Sequence, residues 1–111
     1  MKEIVIFEIN GKLPIEEWVI SLKDRQIKYR INERIKRIIA GNLGDYKKID
    51  SELSEFRLNF GSGYRIYFHE ADEVIILLLC GGDKATQVKD IKKAKEFLQL
   101  WKGNNNDKKS L

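Results

Sequence analysis

Cysteine, histidine and proline each occur once in this 111-residue chain, as Cys80, His69 and Pro14. A lone cysteine excludes an internal disulfide and fits a reducing compartment; within an apolar run it reads first as a small buried hydrophobe. One histidine and no paired Cys/His spacing leave zinc without a ligand set, so neither metal-dependent chemistry nor a cofactor is expected. The longest apolar run, Val74 to Cys80, is far short of the ~20 residues that span a bilayer. The N-terminal segment has Glu3 ahead of its apolar residues and no small-residue cleavage site, so it does not read as a signal peptide. A cytoplasmic protein with no membrane partner is the expectation.

What is present is ordinary for a folded domain: 42% hydrophobic and 34% charged residues, without repeats or low-complexity bias. A chain of this length buries about two-thirds of its unfolded surface, enough for one real core. The net charge of +4 favours nucleic acid or an acidic protein as a partner, but it speaks to association and not to an activity.

Residues 3–9 are rich in Ile, Val and Phe and close on Asn10-Gly11, predicting a strand and a turn. Pro14 opens a short amphipathic helix carrying Ile15, Trp18, Val19 and Leu22. A second helix runs from Asp24 through Ile27, Ile31, Ile35 and Ile38 to a stop at Gly41-Asn42. Residues 42–51 read as a loop. Residues 52–60, 63–69 and 74–80 then predict three antiparallel strands, and Thr86 caps a last helix bearing Val88, Ile91, Ala94, Leu98 and Trp101. The expected fold is α+β, in the order β-α-α-β-β-β-α, with two N-terminal helices on an antiparallel twisted sheet. One domain is expected over residues 1–102, and a frayed polar tail over 103–111.

A three-residue turn at Gly61-Ser62-Gly63 would pair Phe60 with Tyr64, Leu58 with Ile66 and Phe56 with Phe68 as a core face. Alternation then puts Arg57, Asn59, Arg65 and Tyr67 on the other face, with Arg57 opposite Tyr67 and Asn59 opposite Arg65. A turn closing Glu70 on Glu73 would set Ile76 beside Tyr67 and Leu78 beside Arg65, and strand exit would bring Lys84 to the Arg65 end. Two guanidinium groups, an ammonium and a phenol suit a phosphate, although arginines over a solvated sheet face would look the same. A second basic patch comprises Arg30, Arg34 and Arg37 on one stripe of the second helix, flanked by Lys28 and Lys36, with Lys47 and Lys48 in the loop beyond. It is either a solvated helix face or an RNA-binding surface.

The run Gly61-Ser62-Gly63-Tyr64-Arg65-Ile66-Tyr67-Phe68, followed by Gly81-Gly82-Asp83-Lys84-Ala85-Thr86-Gln87, resembles the RelE/ParE superfamily of type II toxins. More narrowly it is similar to the phage-derived, HigB-like addiction module killer proteins, with a G-x-G-Y-R-x-Y strand and a G-G-D-K-x-T-Q segment. Trp18, Leu22, Asp24, the Gly41–Asp45 stretch and Glu55-Phe56-Arg57 also sit where that family has its signature, so the likeness extends from about Phe7 to Ala94. Ser62 replaces a frequent proline and Phe56 a usual leucine, and neither bears on the site.

The resemblance implies a RelE-like toxin neutralised by a helix-turn-helix, HigA-like antitoxin, with the ribosome and mRNA as targets. RelE- and HigB-like members cut mRNA on the ribosome without a metal, which casts Arg57, Arg65, Tyr67 and Lys84 as the catalytic set. ParE-like members instead inhibit DNA gyrase, and a non-toxic RNA- or protein-binding module is the third alternative.

Overall fold

The computed structural model describes residues 2–72 and 75–109. In chain order the elements are β1 (Glu3–Ile6), α1 (Pro14–Ser21), α2 (Arg25–Ile39), β2 (Tyr46–Lys48), β3 (Ser54–Arg57), β4 (Arg65–Ala71), β5 (Ile75–Gly82) and α3 (Gln87–Lys109). The strands form one sheet in the order β1-β5-β4-β3-β2. The fold is α+β, but the sheet is mixed: β1 runs parallel to β5, and the other neighbours pair antiparallel. The stretch expected to be a loop contributes β2, which pairs Tyr46 with Phe56 and Lys47 with Glu55.

Local chemistry accounts for the helix ends. Pro14 takes the first position of α1, where its missing N–H costs no hydrogen bond. Asp24 caps α2 by accepting from the backbone N–H groups of Gln26 and Ile27 at 2.8 and 3.2 Å. Gly41, at φ 95°, ends it, and Asn42 N–H returns to the Arg37 carbonyl at 2.8 Å. By contrast α3 does not stop at Gly103-Asn104. It continues to Lys109, since Gly and Asn weaken a helix by only about 1 kcal/mol each and no proline intervenes. Ser110 and Leu111, at the end of the expected tail, lie outside the described residues.

Both sheet faces are covered. Phe56, Ile66, Phe68, Ile76 and Leu78 face Ile15 and Val19 of α1 and Ile31 and Ile38 of α2, all buried. The opposite face packs Tyr67, Leu77 and Leu79 against Ala94 and Leu98 of α3. At about 1.5–3 kcal/mol per large apolar side chain, these two layers dominate the stability. No helix among the described residues is long and apolar enough to cross a membrane.

Both expected registers shift. Along β3 and β4 the pairs are Phe56 with Ile66, Glu55 with Tyr67 and Arg57 with Arg65, two residues away from the expected alignment. An even shift leaves every side chain on its face, so only the neighbours change. The physical cause is a longer connection: Gly61 and Gly63 both take positive φ, and beyond Arg57 only Leu58 N–H still reaches across, to the Tyr64 carbonyl at 3.0 Å. Between β4 and β5, Arg65 pairs with Gly82 and Tyr67 with Cys80, whereas Glu70 pairs with Ile76. The expected Glu73 position lies outside the described residues. A register irregularity between Tyr67 and Phe68 leaves Leu79 as the extra residue of a bulge.

Candidate functional site

The corrected registers bring Arg57 and Arg65 closer than expected, directly opposite one another. Like charges so placed repel, and the counter-charge is Glu55, whose residue is only 2% exposed. Arg57 Nε donates to one Glu55 carboxylate oxygen at 3.1 Å, and Arg65 Nε lies 3.2 Å from the other. The second contact is an ion pair and not an aligned hydrogen bond, since neither of its two buried atoms has a hydrogen-bond partner among the described residues. Arg65 also donates from Nη1 to the Gly63 carbonyl at 2.8 Å. Its side chain is 13% exposed, against 45% for Arg57.

Lys84 arrives at the same end of the sheet through the β5 exit. Its backbone N–H faces the Ser62 carbonyl at 3.3 Å. A Cβ on Gly63 would sit 3.2 Å from Lys84 Cβ and 3.4 Å from Arg65 Nη1, so glycine there serves both positive φ and close approach. Among the described residues Lys84 has no carboxylate within ion-pair distance. The nearby acids are engaged by Thr86: Asp83 accepts from its N–H at 3.1 Å and Asp90 from its hydroxyl at 2.5 Å. A Cβ on Gly82 would overlap that Asp90 carboxylate. Arg57, Arg65, Phe60 and Gly63 line a cleft of about 330 Å³. Its charge favours an anion, and the guanidinium fork matches a phosphate.

Tyr67 departs from the expectation. It faces the same side of the sheet but lies fully buried under α3, and its hydroxyl has no hydrogen-bond partner among the described residues. Burial, with Glu55 and Asp90 adding to it, holds the phenol well above the usual tyrosine range despite Arg65 nearby. Both causes disfavour a phenolate, and the fully buried ring presents no surface to a ligand. Cys80, beside Tyr67 in the ladder, is pushed up to about 12 by burial and by Asp90, as expected of an inert core thiol.

The second basic patch divides. Arg34 is turned inward, donating to the carbonyls of Leu43 at 3.1 Å, Asp45 at 3.0 Å and Arg57 at 3.4 Å. It clips α2 to the sheet, so it is not a free RNA contact; burial, helped by Arg37, lowers its pKa. Arg30 stacks over the Phe60 ring at 4.1 Å, and Arg37 is exposed. Lys28 is half-buried. Lys47 and Lys48 are exposed on the edge strand β2, and Lys47, opposite Glu55, shares the face of Arg57 and Arg65. His69 lies away from the cleft, its Nδ1 2.6 Å from the Glu52 carbonyl.

Sequence reasoning gives Glu55 no role, although a signal was available: a carboxylate two residues from Arg57 in an alternating strand must share its face. In the sheet Glu55 lies between Lys47 of β2 and Tyr67 of β4, and β2 is a strand the sequence does not announce.

No family model matches the chain. A Haemophilus influenzae protein, described as uncharacterized, is 45% identical over 92 residues, which span 83% of this chain and 93% of that protein. Identity at that level across nearly the whole domain shows common descent, and the chain belongs to the same family as this Haemophilus protein.

Proposed function

We propose that the chain is the toxin of a type II toxin–antitoxin pair, a RelE-like, metal-independent endoribonuclease that cuts mRNA on the ribosome and so inhibits translation. One observation carries the reading: Arg57 and Arg65 face each other across two strands, aligned by a buried carboxylate, and Lys84, without an ion pair among the described residues, comes against Gly63 at the end of their cleft. The sequence resemblance to HigB-like killer proteins supports it independently. The partners are then a helix-turn-helix, HigA-like antitoxin, the ribosome and mRNA.

The reaction needs no metal. The ribose 2′-hydroxyl gives its proton to solvent and attacks the adjacent phosphorus; the new O–P bond forms as the P–O5′ bond breaks, the departing 5′-oxygen takes a proton from solvent, and negative charge builds on the non-bridging oxygens on the way to a 2′,3′-cyclic phosphate. Arg57, Arg65 and Lys84 are placed to stabilise that charge, a role worth about 3–4 kcal/mol per donor in a water-poor site. Three cations against one carboxylate leave the cluster with a surplus of two positive charges for a phosphodiester. Glu55 holds the arginines by their Nε edges and leaves other guanidinium N–H groups for the substrate. Tyr67, opposite Glu55 on the same face, serves as packing and not as a base. Alignment of the mRNA by the ribosome supplies much of the remaining rate.

Induced expression with transcript ends mapped genome-wide tests the reading. New mRNA ends under arrested translation are expected. Intact transcripts would reject cleavage, and DNA breaks with continued translation would point to gyrase instead.

A further inference from the structure

A second cleft, of about 460 Å³, lies between α2 and the loop after β3. Tyr29, Arg30, Glu33 and Arg37 line it together with Asn59 and Phe60, and these last two also line the Arg57–Arg65 cleft. The two hollows therefore meet across one loop. We infer that the second cleft holds a nucleotide of the same strand beyond the two that flank the cleaved phosphate, so that single-stranded RNA crosses the Asn59-Phe60 ridge from one hollow to the other; this rests on the cleavage reading above.

The chemistry of the walls favours a nucleotide. Tyr29 is an exposed aromatic, 66% accessible on a helix whose Ile31 and Ile38 supply the core contacts. The Arg30 guanidinium, held over the Phe60 ring, offers a second planar surface for a base. Arg37 is exposed and available to a phosphate. Glu33, the one acid in the cleft, pairs with Lys36 at 3.6 Å. Arg34 adds shape more than binding capacity, because its Nη groups are turned inward onto three carbonyls and its Nε is buried. Two cations with aromatic faces form the usual platform for single strands, where bases stack without being read by sequence. An acidic peptide would use the cations but not the exposed ring.

Fluorescence anisotropy with labelled 2′-O-methyl RNA, which lacks the attacking hydroxyl, tests this on the full chain. A dinucleotide and a hexanucleotide are compared on the parent, on Lys84→Ala, and on the double variant Tyr29→Ala with Arg37→Ala. The substituted residues are all exposed, and thermal melting confirms folding. The hexamer should bind the parent at least about tenfold more tightly than the dimer. The double variant should lose that gain, with a salt slope lower by about 0.7, and bind the dimer as the parent does. Lys84→Ala should weaken both lengths. A double variant that keeps the length-dependent gain overturns the inference, as does one that loses binding to oligoglutamate but not to RNA. Failure of the cleavage reading is separate: it shows as intact mRNA with the parent chain, whatever the oligonucleotide binding.

Discussion

The Nε of Arg65 lies 3.2 Å from a Glu55 carboxylate that is almost wholly buried. The same carboxylate accepts from Arg57, so removing it strands two guanidinium groups face to face. Glu55→Ala should cost on the order of 2–3 kcal/mol, below the ~3–5 kcal/mol of a fully buried pair because Arg57 is half in water. Glu55→Gln, which keeps the volume and one acceptor, should recover part of that stability. Urea denaturation measures both. Under the cleavage reading, folded Glu55→Gln should cut more slowly with little change in RNA affinity.

Tyr67→Phe removes a buried hydroxyl that has no partner among the described residues. Leaving such a group unpaired costs ~1–3 kcal/mol, so the variant should be as stable as the parent or more stable by about 1 kcal/mol. Under the cleavage reading, its toxicity on induction should match that of the parent. A hundredfold loss of toxicity in the folded variant would restore a chemical role for the phenol.

Two glycines should respond in opposite directions. At Gly82 an added methyl overlaps the Asp90 carboxylate, and Gly82→Ala should destabilise by about 1–3 kcal/mol through forced displacement of α3. Gly103 lies in α3 with open space around it, and Gly103→Ala should stabilise by about 0.5–1 kcal/mol. Thermal melting of the two variants checks both the Asp90 contact and the continuation of the helix past Gly103.

Asp50 predicts an acid limb in the stability profile. The Lys95 ammonium at 2.9 Å, followed by the backbone N–H groups of Glu52 and Leu53, lowers its carboxyl to about 2. Because the folded value lies below the unfolded one, near ~3.9, the contribution is fully present above that pH. It is lost as pH falls from ~4 through about 2. Denaturation midpoints of the parent and Asp50→Asn should therefore differ at pH 6 and converge near pH 2.

Period-two alternation in β3 and β4 made the face of each residue legible, which is why Arg57 and Arg65 group correctly even though their register shifts by two. Loop length resisted reading, because Gly61 and Gly63 fit several turn types and only packing selects among them. The Leu79 bulge leaves no mark in a uniformly apolar strand. β2 has only three residues, all exposed, too few for a pattern. Tyr67 was misplaced for a related reason. A polar-tipped ring suits either an open face or a helix-covered one, and the docking of α3 decides.

Lys84 offers the most direct test of the cluster as a phosphate site, since it is exposed and its loss breaks no ion pair among the described residues. In a reconstituted translation reaction, mRNA cleavage by the parent and by folded Lys84→Ala is followed by primer extension. The account predicts cleavage by the parent and a loss of about 100-fold or more in the variant. Cleavage at the parental rate by Lys84→Ala, or none by the parent, would contradict it.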